Sequence, residues 1–249
     1  MEKSQENRRF KFIGKAVYFK NEKIIVFGDM HLGYGFTFRE NGSQIQTLQL
    51  KETKKDLEKT LKQLKKENKK IEKIILLGDV KHFFSYNKGE TKLILEILTI
   101  LKKYVKKENI ILIKGNHEKI TEIGDKKFVD YYIEKDIAFI HGDNMIKEAF
   151  DKKIRIITMG HLHPAITLTD YQRVKSEKYK CFLVGRYKSK EIIILPSFLQ
   201  FIEGTSLNEY TKEHCFIPTK NIKNFKVYVI GKNEVFNFGI LKRLVHEFN

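Results

Sequence analysis

Residues 73–82 read KIILLGDVKH. The aliphatic run Ile74–Leu77 is too short for a helix and suits a strand buried on both faces. Gly78 ends the run, and Asp79, Lys81 and His82 follow at once. The same arrangement recurs in KIIVFGDMH at 23–31, IILIKGNHE at 110–118, IAFIHGD at 137–143 and RIITMGHLH at 155–163. Five apolar runs thus end in a glycine accompanied by Asp, Asn or His. In an open α/β sheet, sites assemble at the carboxyl ends of strands. Five strand ends can therefore meet although their residues are far apart in the chain.

The segments between these strands set the fold class. Residues 43–70 carry Leu57, Leu61, Leu64, Asn68 and Ile71 at spacings of three and four, which predicts a helix with one apolar stripe. A second helix is predicted over 89–107, burying Leu93, Ile94, Ile97, Leu98, Leu101 and Tyr104. Strand and helix alternate here, as parallel β-α-β units require. At the start, residues 10–20 and 23–27 read as two strands around a turn at Asn21-Glu22. After residue 130 the pattern becomes strand-rich, with strands near 130–133, 137–140, 154–159, 180–185, 192–195 and 226–230 and one short helix near 145–151. The expected architecture is a four-layered α/β/β/α sandwich of two mixed β-sheets with helices outside, one domain over residues 1–249.

Composition narrows the function. The 249 residues include 48 Lys and Arg against 31 Asp and Glu, a net charge of +17, and Arg supplies only 7 of the basic residues. Such a surface attracts polyanions, nucleic acid first. The same lysine excess also follows from a biased overall composition, and phosphate-forking sites favour arginine. No apolar run approaches the ~20 residues of a membrane span. The polar start, MEKSQENRRF, lacks a secretory leader's apolar stretch, and the two cysteines, Cys181 and Cys215, form no CxxC. A cytoplasmic protein without a disulfide framework is expected.

Six of the eight histidines fall in the five clusters. Taken singly, a Gly-Asp after a strand is more often a turn or a helix cap. Five in chain order point to metal binding by nitrogen and oxygen ligands. Members of the pairs Asp29/His31 and His161/His163 are two residues apart, so an extended backbone turns each pair to one side.

The succession GDxH, GDxxx, GNHE, HGD and GHxH, spanning Ile24 to Pro164, resembles the calcineurin-like metallophosphoesterases. GDVKH and LPSF at 195–198 are most similar to the archaeal SbcD-related and DNA-ligase-associated branch. About 50 residues follow LPSF, fewer than a typical ~100-residue domain, so a separate DNA-binding cap is not expected.

The resemblance implies that Asp29, His31 and His163 hold one metal, that Asn116, His141 and His161 hold a second, and that Asp79 bridges them. It implies that His117 binds no metal but faces the substrate phosphate and assists the leaving group. Glu118 stands where the family has Asp and would partner His117, and His82 stands where an acidic residue is usual. Lys81, His82 and Arg39 are the candidate substrate contacts, and Tyr34, Phe36 and Phe38 lie in the loop beside them.

Two divalent ions are implied, manganese first, with iron or zinc as alternatives; they would acidify a water for in-line attack on phosphorus. Phosphodiester hydrolysis in nucleic acid is the leading expectation. A nucleotide, cyclic-nucleotide or other small phosphoester substrate, a protein phosphatase, and a weakly active metal-binding scaffold of a DNA-repair complex are the rivals. No membrane partner is expected.

Overall fold

In a computed structural model, residues 8–38, 42–170, 174–209, 215–232 and 234–245 are described. Strand β1 (Phe10–Ile13) pairs antiparallel with β2 (Ala16–Phe19) across a two-residue turn at Gly14-Lys15. The single strand expected over 10–20 is therefore a hairpin. Strand β3 (Ile24–Phe27) follows, then helix α1 (Gly42–Lys66), β4 (Lys73–Leu76), helix α2 (Lys88–Leu101) and β5 (Ile110–Ile113). Strands β6 (Glu122–Ile123) and β7 (Lys126–Val129) complete a seven-stranded sheet in the order β1-β2-β3-β4-β5-β7-β6. Its centre, β3, β4, β5 and β7, is parallel, as the β-α-β reading predicts.

The second sheet holds β8 (Tyr131–Glu134), β9 (Ile137–Ile140), β10 (Ile156–Met159), β11 (Pro164–Thr169), β12 (Ser176–Tyr187), β13 (Lys190–Ile194) and β14 (Thr205–Ser206). Strand β15 (Lys226–Ile230) pairs with β12 and carries β16 (Val235–Ile240) at its far edge, after the short helix α3 (Thr219–Ile222). Strands β9, β10 and β13 are parallel.

Helix ends have local causes. Lys69 N–H bonds to Leu64 O at 2.9 Å while Asn68 adopts φ 54°, a left-handed stop. This ends α1 at Lys66, short of the expected residue 70. Asn87 caps α2 by accepting the Glu90 N–H at 3.0 Å. The helix expected near 145–151 is a 3-10 turn, Lys147–Phe150. Strands β6, β7 and β16 escaped notice because they are very short or largely exposed, and β11 opens with a proline.

Three cores separate four layers. Leu57, Leu61 and Leu64 of α1 and Ile94 and Ile97 of α2 pack on Ile25, Phe27, Ile74 and Leu76. Between the sheets, Phe12 stacks on Phe182 with centroids 4.2 Å apart, and Phe19 meets Phe139 edge-on. On the far side, Ile157, Leu183 and Ile192 meet Ile217, Ile222 and Phe225. The outer layer there is built of short helical turns, so single side chains matter more.

Gly185 shows how close that packing is: a Cβ there would lie 2.1 Å from the Phe225 ring. Gly185→Ala is expected to destabilise the fold by about 1–3 kcal/mol through overpacking. Chemical denaturation would read the loss, and an unchanged midpoint would show that the ring can give way.

Candidate metal centre

Three strand ends of the first sheet and two of the second deliver the site. Asp29 and His31 follow β3, Asp79 follows β4, and Asn116 and His117 follow β5. His141 follows β9, and His161 and His163 follow β10. Hydrogen bonds tie the ends across the sheets. His141 Nδ1 donates to Leu77 O at 2.8 Å, and the His161 N–H reaches both Asp29 carboxylate oxygens at 3.1 Å. Within the first sheet, Met30 and His31 donate their N–H groups to Asp79 O at 3.1 and 2.8 Å.

All seven expected ligands come together. His163 Nε2 lies 3.2 Å from His31 Nε2 and 3.4 Å from Asp29 Oδ1. His141 Nε2 lies 3.0 Å from Asn116 Oδ1 and 3.1 Å from His161 Nδ1. Asp79 Oδ2 stands between the two groups, 3.7 Å from His31 Nε2 and 3.5 Å from His141 Nε2. Asp29/His31/His163 and Asp79/His141/His161 each offer ligand atoms within 4.8 Å of one another, as does a third group, His31/His82/His117.

The donor set fits a cation. His141 Nδ1 donates to Leu77 O, so in the neutral ring the Nε2 lone pair faces Asn116 Oδ1 and His161 Nδ1. Burial opposes its protonation, but Asp29 and Asp79 outweigh this and raise it above the ordinary histidine value. Acceptors so close repel unless a proton or metal ion sits among them. Burial pushes His31 well below the ordinary histidine range, and burial with the neighbouring His141 brings His161 down to about 4. Neutral imidazole is the ligating form. Burial opposes ionisation of Asp29, yet His163, His141 and His31 outweigh it and hold its carboxyl below its usual value.

The backbone is bent to achieve this, not extended as the two-residue spacing of the ligand pairs suggests. His31, Asp79, His161 and His163 all have left-handed φ, between 43 and 63°. Each such residue costs on the order of 1–3 kcal/mol, and surrounding structure must hold it. Gly115 permits one of the contacts, since a Cβ there would lie 2.2 Å from Asp79 Oδ1.

His117 sits at the rim, with 17% of its side chain exposed and Nε2 3.8 Å from Asp79 Oδ2. Its Nδ1 bonds to His82 O, and Phe84 stacks on its ring at 4.3 Å. Glu118 does not partner it, contrary to expectation. The longer carboxylate is buried and accepts the N–H groups of Gly115, Asp79 and Lys81 at 2.7, 2.9 and 3.0 Å. Burial, with Asp79 close by, raises it to about 7.

Lys81 does not face the site as expected. Its side chain is 1% exposed, and Nζ points to Ser85 O at 3.1 Å and Glu90 at 3.5 Å, so it braces a loop rather than facing substrate. His82 is half-buried beside Tyr34 and His117, and burial lowers it to about 4. Arg39 lies outside the described residues, as do His214 and His246.

Two supporting residues escaped the sequence reading. Glu90 is 1% exposed and accepts the N–H groups of His82 and Phe83 at 2.5 and 2.9 Å. Gln49 is fully buried and donates to His31 O at 2.8 Å. A signal for Gln49 existed: with Thr53 it extends the Leu57, Leu61 and Leu64 stripe by steps of four. A polar side chain on a buried stripe needs a partner.

The model of the calcineurin-like phosphoesterase family matches residues 22–184. Nuclease MPE of Pseudomonas putida is similar in structure, with a TM-score of 0.54 and 19% identity over 89% of this chain and 92% of that one. Vacuolar protein sorting 29 from Cryptosporidium parvum matches with a TM-score of 0.37 and 14% identity over 86% and 94%. A single mutant of Vps29 from Entamoeba histolytica gives 0.36 and 12% over 87% and 99%. No curated protein matches. At 19% identity the likeness to nuclease MPE shows a shared fold. The family match covers all five glycine-bearing strand ends, and the chain belongs to the calcineurin-like phosphoesterase family.

Proposed function

We propose that this protein is a dinuclear-metal phosphodiesterase that cleaves nucleic acid, of the SbcD-related and DNA-ligase-associated kind. The observation that carries the reading is Asp79 Oδ2 standing between two groups of nitrogen and oxygen donors. In this reading Asp29, His31 and His163 hold one ion, Asn116, His141 and His161 hold the other, and Asp79 serves both. Manganese is the first candidate, with iron or zinc compatible with the same donors. Divalent cations held there would supply Lewis acidity to a phosphoryl group and lower the pKa of water.

The chain's own residues do the rest. Leu77 O fixes the His141 tautomer, and the Asp29 carboxylate holds the His161 backbone. His117 Nδ1 donates a hydrogen bond to His82 O, so Nε2 is the atom left to meet a phosphoryl or leaving oxygen. In protonated form it would donate a proton to the departing alkoxide. His82 and the ring of Phe84 hold its orientation. The +17 charge supports a polyanionic substrate, and the same fold occurs in a bacterial protein named as a nuclease.

A substrate panel with Mn²⁺ tests the reading: single- and double-stranded DNA, cyclic nucleotides, bis-p-nitrophenyl phosphate and p-nitrophenyl phosphate. Diester cleavage with DNA degradation is the expected result. Cleavage of monoesters alone would make the protein a phosphatase instead.

Asp79→Asn should keep the fold, seen as an unchanged circular dichroism spectrum, while elemental analysis shows loss of the metal pair and hydrolysis ceases. Wild-type turnover in that variant would refute the bridging role. His117→Asn should retain both metals and slow hydrolysis by roughly 10²–10⁴. The loss should shrink for p-nitrophenolate, which needs little protonation to leave. Loss of an ion in this variant would make His117 a ligand.

A further inference from the structure

A cleft of about 1030 Å³ opens between the β1–β2 hairpin, helix α1, the start of β12 and the β15–β16 hairpin. It lies toward the same strand ends as the centre, because β1 runs parallel to β3 through their common antiparallel neighbour β2. The segment 196–200 separates the two: Phe198 N–H holds Asp29 O at 2.8 Å on one side, and Phe198 and Gln200 line the cleft on the other.

Charge in the cleft is out of balance. Lys15 reaches Phe198 O at 2.6 Å and is matched by Asp56 at 2.8 Å, while Lys11 and Lys178 pair with Glu67 and Glu203. Lys180 is different. Its Nζ donates to Ser197 O at 2.9 Å and to Leu199 O, and among the described residues it has no carboxylate partner. Among the described residues, exposed Lys59 and Lys232 also line the cleft without an ion pair, against Glu234 as the one lining acid without one. Lys180 is half-buried, and Asp29 and Asp56 are near enough to favour its charge but form no ion pair with it. Three lysines without an ion pair against one such acid leave the cleft short of anions. A half-exposed aromatic ring, Phe236, faces the same space.

We propose that this cleft binds the phosphate groups of a nucleotide, with Lys180 at its floor and Lys59 and Lys232 on its walls. Phe236 offers a face on which a base can stack. Burial first, and the nearby Lys15 charge second, hold the Lys180 ammonium well below the usual lysine range, a penalty that an incoming phosphate relieves. The nucleotide is either free or part of a strand whose scissile phosphate sits at the metal centre; only this second source rests on the function proposed above.

The test is binding of dTDP and of a 12-nucleotide oligothymidylate to the full chain in excess chelator, at about 50 mM salt. Lys180→Met should weaken binding at least tenfold. Lys59→Gln combined with Lys232→Gln should weaken it and flatten the oligonucleotide's salt dependence by about 1.4, at ~0.7 per lost phosphate contact. If Lys180→Met does not fold, the exposed pair carries the test. Tight dTDP binding with the same sensitivity identifies a free nucleotide; binding of the oligonucleotide alone identifies a strand. Wild-type affinity in the variants, or no binding of either probe, overturns the proposal. Because no metal is present, failure here is distinct from failure to hydrolyse diesters.

Discussion

Carboxylate and imidazole groups crowded at one point repel one another, and the molecule is organised around holding them there. Asp79 stands within 4 Å of imidazoles from both sheets, so neither sheet alone completes the site. The sheets must lie face to face with their parallel strands ending at the same level. The aromatic layer between them, Phe12 on Phe182 and Phe19 against Phe139, sets that alignment by packing that tolerates little displacement. The bonds from His141 to Leu77 O and from the His161 N–H to Asp29 then lock the two sets of strand ends together.

The four left-handed residues of the site are costly, and their support is distributed. Glu118 gathers three backbone N–H groups around Asp79, and Glu90 gathers two beyond Lys81. Gln49 of α1 holds the carbonyl of His31. Buried carboxylates and amides therefore act here on the backbone rather than on substrate. Charge-assisted bonds of this kind suit tight turns, because one carboxylate satisfies several N–H groups that no helix or strand can pair.

The segment 196–200 joins two regions that the fold could have kept apart. Lys15 and Lys180, from different sheets, hold its carbonyls, while its own N–H groups hold Asp29. Whatever occupies the adjoining cleft shares a wall with one of the proposed metal ligands. The lysine-rich composition thus has at least one organised expression, in addition to the solvated faces of α1.

Much of the site was legible in the sequence, because strand ends in an α/β sheet converge and a glycine with Asp, Asn or His after each apolar run marks them. The layered architecture follows from that pattern, while the family and the expected ligand set come from the resemblance that its order along the chain carries. Hydrogen-bond direction, however, depends on three-dimensional neighbours and not on spacing. Glu118, expected to partner His117, accepts three N–H groups instead, and Lys81, expected to contact substrate, is buried against Ser85 and Glu90. The cleft around Lys180 was invisible as well, since it is assembled from β1, β12 and the β15–β16 hairpin, which only the packing of the two sheets brings together. Sequence by itself determined which side chains could meet; the tertiary structure decided which atoms face one another, because a side chain's partner is set by direction and solvent exclusion that no linear spacing encodes.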